Sequence, residues 1–222
     1  MKVDYVDHMG TDLSVVNAAR VSFAKESGYE EDGELGQRDR KLIRYLANHN
    51  HWTPFGHTSV SVRVRAPLFV ARQLQKHQVG LVWNEVSRRY VDDPPEYYEP
   101  EDWRGRPENS KQGSSGPILQ AGVPFVEMFS EEFSYFDVID LCDRFYKRLI
   151  EAGVCPEQAR MVLPQSMYTE WIWTGNLVSF ANMCRLRLDA HTQKETREVA
   201  AMIAKVVEPL FPVSWKELMN ND

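Results

Sequence analysis

The chain has 222 residues, a formal net charge of -6, and 43% hydrophobic and 26% charged residues. That is enough for one domain with a sizeable core, or two small ones, and 11% aromatic residues exclude a disordered chain. No apolar run approaches the roughly 20 residues that span a bilayer. The acidic balance also argues against a nucleic-acid surface, which is more often basic over the whole domain.

The N-terminus, Met1-Lys2-Val3-Asp4-Tyr5, lacks an apolar signal core, so a cytoplasmic protein is expected. Residues 2–7 read as a first strand. Thr11-Asp12 offers a cap for a helix through Val15, Val16, Ala19 and Phe23. Residues 26–36 read as an acidic loop. A second helix carries Leu42, Ile43 and Leu46 and ends near Asn48-His49-Asn50. The segment His51-Trp52-Thr53-Pro54-Phe55-Gly56-His57 is too rich in turn formers to be regular.

From Thr58 to Ala66 the alternation is clean, with Val60, Val62 and Val64 on one face. Pro67 suits the first turn of a helix running towards Gln78, on which Gln73 and Lys76 share a face. Gly80 breaks it, and Asn84 to Val91 is strand or loop. Residues 92–124, rich in Gly, Pro and Ser, read as a long surface excursion.

Phe125 to Ala152 predicts one long helix, from the spacing of Phe129, Phe133, Phe136, Leu141, Phe145 and Leu149. Pro156 opens a short helix through Arg160, and Tyr168 to Thr174 resembles a strand. Asn176 caps a helix with Phe180, Met183 and Leu186, and a last helix runs from about Gln193 to Val207. The fold class is therefore α+β. A single domain over residues 1–222 is expected, with a central, mostly antiparallel sheet flanked by helices.

Four clusters carry chemistry. The densest is Arg72-Gln73-Leu74-Gln75-Lys76-His77-Gln78, followed by Asn84-Glu85-Val86-Ser87-Arg88-Arg89-Tyr90. The others are Arg160 with its neighbours, the run from Asn176 through Asn182 to His191, and His51 to His57. Guanidinium groups suit bidentate recognition of phosphate or carboxylate. Side-chain amides suit the edges of heterocycles, because they both donate and accept. Together they point to an anion and heterocycle pocket, against the plainer alternative of surface ion pairs with the abundant Asp and Glu.

His49, His51 and His57 invite a metal reading, but no Cys or second carboxylate completes a ligand pattern, so no metal is expected. Cys142, Cys155 and Cys184 are sparse and lack Cys-x-x-Cys spacing, which argues against a disulfide framework. There is no Gly-x-Gly-x-x-Gly, Walker loop or Gly-x-Ser-x-Gly elbow.

These residues resemble the flavin-dependent thymidylate synthases. The family's signature is Arg-His-Arg-x-x-Ser-x-Asn-Glu-x-Ser, usually preceded by Arg-Gln and followed by x-Arg-Tyr. Here Lys76-His77-Gln78 and Asn84 to Tyr90 stand in its place, behind Arg72-Gln73. Ala18 to Ser22, Thr53 to His57, Ala159-Arg160 with Leu163-Pro164, and Arg187 to His191 are similar to further family segments in the same order. The departures are Lys76 and Gln78 in place of arginines, Leu81-Val82 in place of the first Ser, and one extra residue between His77 and Asn84.

The resemblance implies reductive methylation of dUMP to dTMP. Methylenetetrahydrofolate supplies the carbon, FAD the hydride, and NADPH the reducing equivalents. Arg187 matches the arginine that contacts the pyrimidine and helps ionise its N3, which makes it the catalytic candidate. Ser87, Arg89 and Arg160 match the phosphate-binding group, and Gln73, Lys76, Glu85, Val86 and Arg88 match further dUMP contacts. Thr53, Lys76, His77, Gln78, Glu85, Asn176, Leu177, Val178 and Asn182 match FAD contacts. Val178 stands where the family often has arginine. Ser22 and His191 are further candidates beside flavin or folate. The resemblance also implies a homotetramer with sites shared between subunits, and no nucleic-acid or membrane partner. The alternative is a non-catalytic nucleotide- or RNA-binding module, with Trp83 and Tyr90 as stacking platforms.

Overall fold

A computed structural model describes residues 1–91, 93–109, 113–119, 125–128 and 131–220. The elements run β1 (Lys2–Met9), α1 (Asp12–Arg20), α2 (Gln37–Asn48), β2 (Ser59–Pro67), α3 (Leu68–Leu74), β3 (Leu81–Glu85), β4 (Trp103–Arg104) and β5 (Pro117–Leu119). They continue with β6 (Phe125–Met128), β7 (Glu131–Ser134), α4 (Tyr135–Glu151), α5 (Pro156–Ala159), β8 (Tyr168–Gly175), α6 (Leu177–Arg187), α7 (Lys194–Val207) and α8 (Pro212–Met219). The fold is α+β, with a mostly antiparallel four-stranded sheet ordered β1-β2-β8-β3 and two small two-stranded sheets.

The chain forms two compact units. Met1–Val64, Leu74–Asn84 and Trp171–Asp222 make the first; Arg65–Gln73 and Glu85–Glu170 make the second.

In the first unit the alternation of β2 is realised directly. Val60, Val62 and Val64 are fully buried, as expected for the core-facing half of a pleated strand. Trp171 and Trp173 of β8 are buried with them, and Trp83 of β3 stacks on Trp171 at 4.1 Å between ring centroids. Asp12 is buried and does more than open its own helix. Its two carboxylate oxygens accept from the Val213 and Ser214 backbone N–H groups, each at 2.8 Å. It thus satisfies the first turn of α8, where orphan donors and the helix dipole favour an anion. The sequence reading stops at Val207 and misses α8, whose Trp215 and Leu218 are buried.

Two further expectations are corrected. Pro67 closes β2 instead of opening a helix, and α3 ends at Leu74, short of Lys76 to Gln78. The long helix from Phe125 is a hairpin followed by a shorter helix. Within β6 and β7, Val126 pairs with Phe133 and Glu127 with Glu132. Helix α4 starts at Tyr135 behind a Ser134–Asp137 capping box, in which the Asp137 carboxylate accepts the Ser134 backbone N–H at 2.8 Å. Phe129 lies outside the described residues. The segment Thr53–His57 is a single stretch of 3-10 helix, with Pro54 in its first turn.

Within the second unit, Leu68 N–H bonds Met167 O at 2.9 Å, Tyr168 N–H bonds Glu96 O at 2.8 Å, and Val86 N–H bonds Glu170 O at 2.9 Å. The expected excursion at 92–124 holds the β4–β5 pair, and its residues 92, 110–112 and 120–124 lie outside the described residues. No helix among the described residues is long and apolar enough to cross a membrane.

Candidate active site

In the first unit, helix α6 organises the cluster. Asn176 caps it, its side-chain oxygen accepting Ser179 N–H at 2.9 Å. Gly80 is held against this end by Asn176 N–H, which donates to Gly80 O at 3.2 Å. Gly80 adopts a φ of +71°, and a Cβ there would fall 2.2 Å from Ser179 Oγ and 2.7 Å from Asn176 Nδ2. Only glycine meets both demands. Gly175 is similarly constrained, since its Cβ would lie 2.6 Å from Gly80 O.

At the other end of α6, Arg187 Nε donates to His77 Nε2 at 3.0 Å. Side chains on a helix lean towards its N-terminus, so Arg187 reaches back along α6 to the turn that carries His77. Burial holds the His77 imidazole below its ordinary value, and the Arg187 charge adds to the effect. Burial likewise pulls down the Arg187 guanidinium. Asn182 Oδ1 accepts from Arg185 at 2.7 Å, and α6 packs against the Thr53–His57 turn. Leu177 is buried, Val178 is half-buried, and Thr53, Lys76 and Gln78 are exposed.

The second unit contains a cleft of about 580 Å³. Arg65, Arg72, Arg88 and Arg160 line it, with Glu85, Val86 and Glu170. Arg65 is occupied: it pairs with Glu96 at 2.7 Å and lies over the Tyr168 ring at 4.5 Å. Arg88 donates to the Asp93 carbonyl, and Arg160 Nε to the Glu157 carbonyl at 3.3 Å. Neither of these two pairs with a carboxylate among the described residues, and neither does Arg72. Glu85 accepts from the Thr169 hydroxyl at 2.7 Å. Ser87 Oγ accepts from Arg89 Nε at 3.2 Å, and Arg89 stacks over Tyr90 at 4.9 Å.

The cleft therefore gathers Glu85, Val86, Arg88 and Arg160 from the expected nucleotide set, while Ser87 and Arg89 sit in the adjoining turn outside its lining. Gln73 is half-buried at the end of the second unit's helical segment. Arg65 and Arg72 are lining arginines that sequence reasoning left without a role. Their signal was the alternation of β2, which puts Arg65 opposite the buried valines, and the Arg-Gln pair itself. Three guanidiniums without a carboxylate partner among the described residues, rimmed by Glu85 and Glu170, make a site for a small anion with polar substituents.

Comparison with known proteins gives the class a family. The thymidylate synthase complementing protein family matches residues 4–213. A flavin-dependent thymidylate synthase from Kosmotoga olearia is 38% identical over 219 residues, covering 97% of this chain and 88% of that protein. One from Thermus thermophilus is 38% identical over 213 residues, covering 96% and 73%. Among solved structures, a UMP/dUMP methylase, PolB, from Streptomyces cacaoi bound with 5-Br dUMP superposes with a TM-score of 0.79 at 28% identity, covering 99% of this chain and 95% of that one. The chain belongs to the flavin-dependent thymidylate synthase family.

Proposed function

We propose that the protein methylates dUMP reductively to dTMP, with methylenetetrahydrofolate as carbon donor and NADPH as the source of reducing equivalents through FAD. One observation carries the reading. Three arginines without a carboxylate partner among the described residues line a cleft with Glu85 and Val86, in a chain matched to the family from residue 4 to 213. The dUMP methylase likeness supports the same nucleotide.

Arg72, Arg88 and Arg160 bind the phosphate, joined by Ser87 and Arg89, while Gln73, Lys76, Glu85 and Val86 complete the nucleotide's contacts. Arg187 takes the pyrimidine, where a guanidinium stabilises negative charge developing on the ring. The residues of the first unit fit a flavin dinucleotide. The α6 N-terminus has Asn176 at its cap and Leu177 and Val178 in its first turn, where helix N–H groups suit a pyrophosphate. Gly80 lies against that end without a side chain. Thr53, His77, Gln78 and Asn182 complete the holding set of this unit, with Lys76 a contact of both ligands. When bound, the flavin supplies the hydride.

We further infer a cytoplasmic enzyme acting as one catalytic domain in a homotetramer. The non-catalytic RNA-binding alternative is disfavoured by the carboxylates along the cleft, which oppose a polyanion. The stacking of Trp83 on Trp171 also occupies a ring face that a base would need. The test is release of tritium from position 5 of labelled dUMP in the presence of FAD, NADPH and methylenetetrahydrofolate. Release that requires all three supports the reading. No release, with oligonucleotide binding that falls steeply with salt, would favour the binding module.

A further inference from the structure

We propose that His77 is a positioning residue for Arg187, its neutral imidazole orienting the guanidinium for the pyrimidine and carrying an acid limb of nucleotide binding. The proposal rests on the reading of Arg187 as the pyrimidine contact.

Arg187 Nε is a donor with no acceptor capacity. Its partner at 3.0 Å is His77 Nε2, which must therefore present a lone pair. The imidazole is neutral and carries its proton on Nδ1. With Nε committed to the imidazole, the plane of the guanidinium is set by His77. A proton on Nε2 would replace the acceptor with a donor and place two cations face to face.

The turn that delivers His77 is itself anchored. Gly80 is fixed to Asn176 at one end of α6, and His77 meets Arg187 at the other. The extra residue of the signature lies between His77 and Asn84, so it is accommodated in the segment that holds the imidazole against α6.

Other charged and titratable groups stand near His77 on the elements around it. On its own turn, Lys76 is exposed. On α6 and just beyond, Arg185 donates to Asn182 at 2.7 Å, and Asp189 accepts from His191 at 2.9 Å. His57, on the turn packed against α6, is exposed. Arg187 is the charge that acts on His77, and it acts to keep the imidazole neutral.

The experiment measures dUMP affinity by calorimetry from pH 8 to pH 5 for the wild type, His77→Gln and His77→Ala. The glutamine oxygen accepts where Nε2 does but does not titrate in this range. The phosphate's own ionisation, with a pKa of about 6, is common to all three and cancels in ratios. The wild-type affinity should fall relative to His77→Gln by up to about tenfold per pH unit once below the imidazole pKa. At every pH His77→Ala should bind dUMP more weakly than His77→Gln, because alanine supplies no acceptor for Arg187 Nε, and the ratio of the two should not change with pH. Parallel pH profiles for wild type and His77→Gln would overturn the proposal. Wild-type protein that binds no dUMP at any pH would instead overturn the functional reading beneath it. Imidazole nitrogen shifts give an activity-independent check: the Nδ1–H tautomer is expected, and the Nε2–H tautomer contradicts it.

Discussion

Gly80 lies so close to Ser179 that a Cβ added to it would fall 2.2 Å from the Ser179 hydroxyl oxygen. The contact joins the turn after His77 to the capped end of α6. Because Gly80 also has a φ of +71°, Gly80→Ala meets both a steric and a backbone barrier. A loss of about 1–3 kcal/mol is expected from a non-glycine residue in that region, read as a lower midpoint in denaturant unfolding. Flavin affinity should weaken in parallel, since the same turn carries His77 and Gln78. An unchanged midpoint would show that the turn rearranges freely.

The cleft of the second unit predicts separable arginine effects. If Arg72 and Arg160 hold the phosphate as proposed, removing either deletes a charge-assisted hydrogen bond worth about 1.5–3 kcal/mol. Arg72→Ala and Arg160→Ala should each raise the dUMP dissociation constant by about ten- to a hundredfold. Binding of deoxyuridine, which lacks the phosphate, should change little. Calorimetry with both ligands decides the matter, and equal losses for the two would remove these arginines from the phosphate.

Thr169 donates to Glu85 at 2.7 Å from a buried position on β8. Thr169→Val keeps the shape and deletes the donor. One neutral-to-charged hydrogen bond should be lost, and dUMP affinity should fall by about three- to tenfold. The same variant of free protein should unfold within about 1 kcal/mol of the wild type, because Glu85 is exposed and water replaces the hydroxyl.

His77 also predicts a pH dependence of stability. Its folded value is lowered, first by burial and then by Arg187. Between that value and the ordinary histidine value of about 6.5, the unfolded chain binds more protons than the folded one. Stability therefore rises with pH through this window and declines as pH falls below about 6.5. Chemical unfolding midpoints should show this decline in the wild type and a shallower one in His77→Gln. Equal slopes would show that folding leaves the imidazole's proton affinity unchanged.

Local signals in the sequence carry much of the fold. The valine alternation of β2, Asn176 as the α6 cap and Thr11 before α1 are each decided by neighbouring residues. The stretch from Phe125 to Phe133 is not, because aromatics near helical spacing also suit a hairpin, and cross-strand pairing of Val126 with Phe133 decides. The deciding local clue was Ser134 three residues before Asp137. Helix α8 escaped because its N-terminal partner, Asp12, is 201 residues away. The site shows the same division. Residue types and order in the signature announce an anion and heterocycle pocket, whereas the Arg187–His77 bond spans 110 positions. Arg72 gains meaning only from the cleft it lines.

On the proposed function, one protein holds flavin and pyrimidine nucleotide in communication. Difference absorbance of FAD bound to the purified protein, recorded while dUMP is titrated in, tests it most directly. A saturable perturbation of the flavin band, competed by dTMP and lost in Arg187→Ala, is the predicted result. A protein that stays colourless with added FAD, or a flavin band untouched by saturating dUMP, would contradict it.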